Sequence, residues 1–292
     1  MSLPKISLVT PSYNQAPYLE QTIRSVLDQG YPNLEYVIID GGSTDGSADI
    51  IRRYAGQLKY WVSERDKGQT DALNKGLSHC TGDVFGYINS DDYLYPRSLA
   101  RVAQAWTEGV RWMVGWSVYL EEGDGNWPYM RRETQRRVDW FLDNPIPQQS
   151  SFWARSLIDQ VGPFRTDLHY CFDYEYWMRL RFVAGVSPVG IRQCLSAFRL
   201  HDASKTTTVW PKFEDEFRII RAEYRKYLTP RDRLKWWAGR RQLAAKAAEQ
   251  RMWRAIKERD APTARREAWS LAGNRPLAVA SWVGLAHALR SR

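Results

Sequence analysis

Two periodicities alternate along residues 5–89. "KISLVT" (5–10) is a short apolar run with β-branched residues and reads as a strand. In "PSYNQAPYLEQTIRSVLDQGY", Tyr18, Leu19, Ile23, Val26 and Leu27 return at helical spacing, and Gly30 stops the helix. "LEYVIID" (34–40) is a second strand. A glycine-rich loop, "GGSTDGS", and a helix, "ADIIRRYAGQ", come next. "KYWVSE" (59–64) is a third strand, "GQTDALNKGLSHC" a helix, and "VFGYIN" (84–89) a fourth strand. Strands that alternate with helices predict βαβ units, a parallel sheet and an α/β fold class.

Beyond residue 97 the pattern is less regular. "RWMVGWSVYL" (111–120) and "WPYMRR" flank "EEGDGN" and predict a hairpin. "PQQSSFWAR" reads as a strand, "SLIDQVG" as a short helix closed by Gly162, "YEYWMRLRF" as an amphipathic helix and "RQCLSAFRLH" as a last strand. From residue 210 the text is helical, with Leu234, Trp237, Ala244, Ala248, Met252 and Ile256 near one stripe and "DAPT" and "GNRP" separating three helices. Glu175 and Arg179, four apart, predict a surface ion pair.

Composition narrows the picture. The chain has 292 residues, 43% hydrophobic and 26% charged, which excludes whole-chain disorder. Cys80, Cys171 and Cys194 cannot all pair and show no CxxC spacing, so reduced thiols and a cytoplasmic protein are expected. The N-terminal text shows no signal-peptide pattern, and "PLAVASWVGLAHAL" is too short to span a bilayer. The net charge of +9 is uneven: residues 221–292 hold 18 Lys and Arg against 6 Asp and Glu. That basic tail predicts an anionic partner, either a membrane surface on the inner face of the plasma membrane or none, with its apolar stripe packed on the rest of the chain or in a homo-oligomer. No nucleic-acid motif accompanies the charge.

In open parallel sheets ligands bind beyond the carboxyl ends of the strands. The polar clusters lie there: "TPSYN", "DGGSTD", "SERDKG" and "NSDD". Back-to-back Asp91 and Asp92 suit a hard cation, Mg²⁺ or Mn²⁺, held by few protein ligands while substrate phosphates supply others. Asp92 also suits the cap of a turn starting at Tyr93. Asp173 falls near the start of a helix, whose dipole favours an ionised carboxylate.

Taken in order, "TPSYNQAPYLEQTIRSVLDQ", "YVIIDGGSTDGS", "ERDKGQTDALNKG", "GYINSDDYLYP" and "FDYEYWMRL" closely resemble glycosyltransferase family 2, over about residues 4–208. The resemblance implies a GT-A fold, a Rossmann-like mixed sheet flanked by helices, and inverting, metal-dependent transfer from a nucleotide-diphosphate sugar to a glycan or lipid-linked acceptor. It divides the chain into a GT-A domain, 1–208, with a nucleotide-binding half (1–97) and an acceptor and catalytic half (98–208), followed by a helical tail, 209–292. It places Pro11, Tyr13 and Asn14 against the nucleobase, Asp40, Gly41 and Asp66 near base and ribose, and Ser90 and Asp91 towards the ribose; Lys75, in "LNKG", reads either as a diphosphate contact or as a helix-surface lysine. Asp92 and His201 would hold the metal, Asp173 would be the catalytic base, and Trp153 and Trp177 would border the acceptor. The chain departs from the family at Gly41, where many members carry a second Asp that contacts uracil, so uridine, guanosine and thymidine donors all remain open.

Two other readings compete. A sugar-nucleotide nucleotidyltransferase would need a glycine-rich phosphate loop with a basic finger after strand one, which "PSYNQAPY" lacks. A non-catalytic nucleotide-sugar binding protein should lack the Asp173 segment, which is present.

Overall fold

The structure, a computed structural model, describes residues 3–121, 129–131, 139–201, 205, 210–258 and 260–274. The chain divides into two compact units, residues 1–135 with 144–227, and residues 136–143 with 228–292. The boundary thus falls near residue 227, not at 208/209. The reason is the helix Trp210–Tyr224, whose Glu216, Phe217 and Tyr224 bond to or pack on residues 169–175 of the first unit.

The first unit is built on one sheet, with strands β1 (Ile6–Ser12), β2 (Leu34–Asp40), β3 (Tyr60–Ser63), β4 (Val84–Tyr87), β5 (Tyr93–Leu94), β6 (Trp112–Glu121), β7 (Tyr129–Arg131), β8 (Ser151–Ala154) and β9 (Val189–Leu200). Their order is β3-β2-β1-β4-β8-β6-β9-β5, with β7 beside β6. The first four strands are mutually parallel, and antiparallel β8 joins them to the second half, where β6 and β9 run parallel. The expected hairpin is present as β6 and β7, with its turn outside the described residues. β4 ends at Tyr87, two residues earlier than its apolar run predicts, because Asn89–Asp92 form a turn closed by the Asp92 N–H on the Asn89 carbonyl (3.1 Å).

The connecting helices are α1 (Ala16–Leu27), α2 (Ser47–Tyr54), α3 (Gln69–Ser78), α4 (Ser98–Ala105), α5 (Arg155–Val161) and α6 (Phe172–Met178), with α7 (Trp210–Tyr224) closing the unit. Leu19, Ile23 and Val26 of α1 join Ile6, Leu8, Ile38 and Val84 in the core. α3 lies close on β1 because Gly76 has no side chain. A Cβ there would stand 2.5 Å from Val9 Cγ1.

The sheet is pinned at the starts of its strands by one buried acid. Glu35 of β2 accepts from the Ser7 hydroxyl (2.7 Å), the Thr81 N–H (2.8 Å) and the Thr81 hydroxyl (2.7 Å). Burial works against its charge, but these bonds and Lys5 outweigh it and hold the carboxyl at about 2, below the usual 4.5. A lowered folded value gives stability that is present above the usual value and is lost as pH falls towards about 2. Glu35→Gln is therefore expected to lower unfolding free energy by about 2 kcal/mol at neutral pH, with the deficit shrinking below about pH 4. Urea midpoints against pH measure this; a deficit unchanged by pH would count against it.

The second unit holds α8 (Pro230–Lys257) and α9 (Ala261–Asn274). Thr229 and Asp232 cap α8 reciprocally, with Pro230 at its first turn. Ala245, Ala248, Met252 and Ala255 pack on Ala264, Ala268 and Leu271. Small side chains on both helices set that seam. The expected stripe is therefore shifted: Ala245, not Ala244, is buried, and Leu234 and Trp237 are exposed. Trp236 Nε1 donates to the Phe141 carbonyl (3.0 Å), which joins residues 139–143 to this unit. No described helix is long and apolar enough to cross a membrane.

Candidate active site

The ends of β1, β2 and β3 lie side by side, with Ser12 opposite Asp40 and Asp40 opposite Ser63. Asp40 is fully buried there and works within the protein. Its carboxylate accepts from the Ser43 N–H (2.9 Å), the Ser43 hydroxyl (2.6 Å) and the Ser63 hydroxyl (2.6 Å). Asn14, in the left-handed region (φ 51°), accepts the Thr44 N–H on Oδ1 (2.9 Å) and donates its own N–H to Ser43 (2.7 Å). Asp45 accepts the Ala16 N–H at the start of α1 (2.9 Å). The loop "GGSTDGS" is thus laced to the ends of β1 and β3. Pro11 is buried within β1, whereas Tyr13 is 62% exposed and lies beside this lacing as an open aromatic wall.

Gly41 and Asp66 meet at the same end of the sheet. A Cβ on residue 41 would stand 2.9 Å from Asp66 Oδ2. The glycine at this departure from the family pattern is what admits the Asp66 carboxylate. The Gly68 N–H donates to Asp66 Oδ1 (2.8 Å), yet burial, ahead of any other influence, pushes its carboxyl up. Lys75, half-buried on α3, pairs with Glu64 (3.0 Å) and Asp71 (3.6 Å).

Beyond β4 the two adjacent acids part company. Asp91 is partly exposed, and its Oδ2 lies 3.3 Å from His201 Nε2. His201, buried after the end of β9, is flanked by the Tyr18 ring at 4.5 Å. Asp92 is fully buried: Oδ1 accepts the Arg199 N–H (2.9 Å) and Oδ2 accepts from Asn89 (3.3 Å). Burial, then the neighbouring Asp91, push its carboxyl well up. Of the two residues expected on the metal, His201 lies against Asp91, the acid expected towards the ribose, while Asp92 is turned into the protein. Within the turn Asn89–Asp92, Asp92 points inward and fastens β9 through the Arg199 N–H. Ser90 is buried too, and its carbonyl lies 2.9 Å from the Thr22 hydroxyl.

A chain of amides that the sequence reading missed supports these acids. Asn89 accepts from Gln69 (2.7 Å) and donates to Gln148 (3.3 Å), whose own amide donates to the Tyr87 carbonyl (2.7 Å). Lys205 donates to Gln69 (3.0 Å). Gln149 bonds Asp92, while its Oε1 is buried without a hydrogen-bond partner. "PQQSS" was legible as a strand, but its two glutamines form a short turn before β8; adjacent amides in apolar text were the available signal.

Asp173 is the second residue of α6, and Asn144 donates to its Oδ2 (3.0 Å). Tyr87, buried at the end of β4, has its hydroxyl pushed up by burial, with Asp173 and Asp92 acting in the same direction. Two expectations on and near α6 are corrected. Trp153 and Trp177 are fully buried and meet edge to face at 5.1 Å, so they are core and present no face to an acceptor. Glu175 and Arg179 are not a surface pair: Glu175 is 2% exposed, bonded to Arg179 (2.9 Å) and to the Tyr224 hydroxyl of α7 (2.9 Å).

Among the described residues no three His, Cys, Asp or Glu side chains cluster as a metal site. The Asp91–His201 pair offers one carboxylate and one imidazole. That donor set fits Mn²⁺ or Mg²⁺ if a diphosphate and water complete the shell.

A mixed sheet flanked by helices, whose strand ends gather carboxylates, an imidazole and an open aromatic, defines an α/β protein of the GT-A fold. The sequence matches the glycosyl transferase family 2 over residues 7–166, more than half of the chain, and the protein belongs to that family and is a glycosyltransferase. A glycosyltransferase of Mycobacterium tuberculosis is 31% identical over 211 residues, covering 68% of this chain and 76% of its own. A Bacillus subtilis protein named TuaG, for teichuronic acid biosynthesis, is 28% identical over 213 residues, covering 71% and 83%. Two solved structures share the fold. The mannosyltransferase PcManGT of Pyrobaculum calidifontis, in complex with GDP-Man and Mn²⁺, has TM-score 0.62 and 18% identity, covering 99% of this chain and 76% of its own. Residues 1–349 of TarS from S. aureus, with UDP-GlcNAc, have TM-score 0.59 and 13% identity, covering 93% and 92%.

Proposed function

We propose that the protein transfers a sugar, with inversion, from a nucleotide-diphosphate sugar to a hydroxyl of a glycan or lipid-linked acceptor in cell-surface polysaccharide synthesis. The observation that carries this reading is the Asp91–His201 pair beyond β4, with Asp173 at the start of α6 bonded by Asn144. Tyr13 walls the base, Asp66 faces it over Gly41, and Asp91 and His201 hold a divalent cation, which when bound supplies charge to stabilise the leaving diphosphate. Asp92 does not touch the cation. It fixes Arg199 and thereby the segment that ends in His201. Asp173 takes the acceptor proton as general base. TuaG's name supports a polysaccharide setting, and the GDP-Man and UDP-GlcNAc complexes of the two neighbours support a nucleotide-sugar donor of either base.

The test is a panel of UDP-, GDP- and dTDP-sugars with Mn²⁺ and Mg²⁺, followed by NMR of the product. One donor should be consumed at least about tenfold faster than the rest, since a hydrogen-bonding base site rejects mismatches strongly. The new anomeric centre should be inverted. Retention, or no turnover of any donor with metal, would overturn the reading.

The basic helical unit adds a place of action. Leu234, Trp237, Trp253 and Trp269 are exposed on helices rich in Lys and Arg. Docking on an anionic membrane surface, where each cation contributes roughly 1 kcal/mol, would bring the enzyme to a lipid-linked acceptor. Flotation with phosphatidylserine liposomes should occur at low salt and fail at high salt. Protein that stays at the bottom in both rules docking out.

A further inference from the structure

Asn144 lies between the short turns at Asp139–Phe141 and Gln148–Ser150. Its Oδ1 accepts the Ile146 N–H (3.2 Å), which fixes the amide's orientation, and its Nδ2 is turned to Asp173 Oδ2 (3.0 Å). The backbone beneath Asp173 is held from another direction. Glu216 of α7 accepts the N–H groups of His169 (2.8 Å), Tyr170 (2.9 Å) and Cys171 (2.7 Å), the turn that leads into α6. Tyr224, two turns further along α7, fastens the same helix through buried Glu175 (2.9 Å). α7 thus holds the chain on both sides of Asp173, and Asn144 bonds the Asp173 carboxylate itself.

We propose that Asn144 is the positioning residue of the catalytic base: it orients the Asp173 carboxylate and favours its ionised form. The inference rests on the reading of Asp173 as base. A base must present a lone pair within hydrogen-bond reach of the acceptor hydroxyl, and a donor bonded to one carboxylate oxygen sets where the other points. A hydrogen bond to the charged form also lowers the proton affinity of an acid. Other titratable groups near Asp173 are Tyr87 of β4 and Cys171 before α6, whose thiol is pushed up by burial and then by Asp173 and Glu216.

The test measures the Asp173 titration directly, by carboxyl ¹³C NMR of full-length protein labelled at aspartate, with Asp173→Asn identifying the resonance. Asn144→Asp puts two carboxylates at hydrogen-bond distance, which cannot both ionise freely, and should raise the titration midpoint by about 1–2 pH units. Asn144→Ala removes the donor without adding charge and should raise it by less. Calorimetry with UDP and GDP in the presence of Mn²⁺ should give unchanged Kd values in both variants, which separates positioning from damage to the donor site. A midpoint that stays at the wild-type value in both variants overturns the proposal. If instead Asp173→Asn retains full transfer, the reading of Asp173 as base falls, a different outcome from a different measurement.

Discussion

Asp173→Asn is expected to lower kcat by about a thousandfold, within the range that a positioned general base supplies. The amide is isosteric and its oxygen can still accept from Asn144 Nδ2. The fold of α6 should not change, because Glu216, Glu175 and Tyr224 hold it without the Asp173 carboxylate. What is lost is the capacity to take a proton from the acceptor hydroxyl. A base that acts on the acceptor has no part in holding the nucleotide, so Kd for the donor's nucleoside diphosphate should stay within about threefold, the pattern of an interaction made only in the transition state. Calorimetry and initial rates on the same preparation decide the matter. Loss of nucleotide binding along with activity would make Asp173 a structural residue.

The first half of the fold was legible because its information is local. Short apolar runs at β1 and β2, a period-3.6 run at α1 and glycines at element ends are each written within a dozen residues. The polar clusters beyond the strand ends were legible in the same way, as at Asp91 after β4. The failures have one physical source, partners distant in sequence. Glu175 and Arg179 read as a surface pair because an i,i+4 spacing contains no word of Tyr224, which buries them. Asp92 read as a metal ligand or a turn cap, and nothing near it in sequence foretold Arg199 on β9, whose N–H its carboxylate accepts. Trp153 and Trp177 read as acceptor walls because aromatic residues near a site look alike until their packing is known; here they meet each other. The domain boundary slipped because helical text from residue 210 is continuous in character, although α7 and α8 serve different units.

The two adjacent acids should separate in their response to metal. Asp91→Asn is expected to raise the Mn²⁺ concentration for half-maximal activity by at least about tenfold and to lower kcat at ordinary Mn²⁺ by about a hundredfold. Asp91 is the partly exposed member, and its Oδ2 already stands 3.3 Å from His201 Nε2. His201→Ala should behave alike, and the double variant should lose little more than either, because the two side chains act on one ion. Asp92→Asn should differ in kind. Its carboxyl is enclosed, with the Arg199 N–H on one oxygen and the Asn89 amide on the other. An amide can keep the first bond but turns a donor on the second, so the strain falls on the Asn89–Gln148 link and on the placement of β9. The expected result is a fall in kcat with the Mn²⁺ half-saturation in place. Metal titrations of the three variants read this directly. A shifted half-saturation in Asp92→Asn with an unshifted one in Asp91→Asn would reverse the assignment. Full activity of the wild type in excess EDTA would remove the metal from the mechanism.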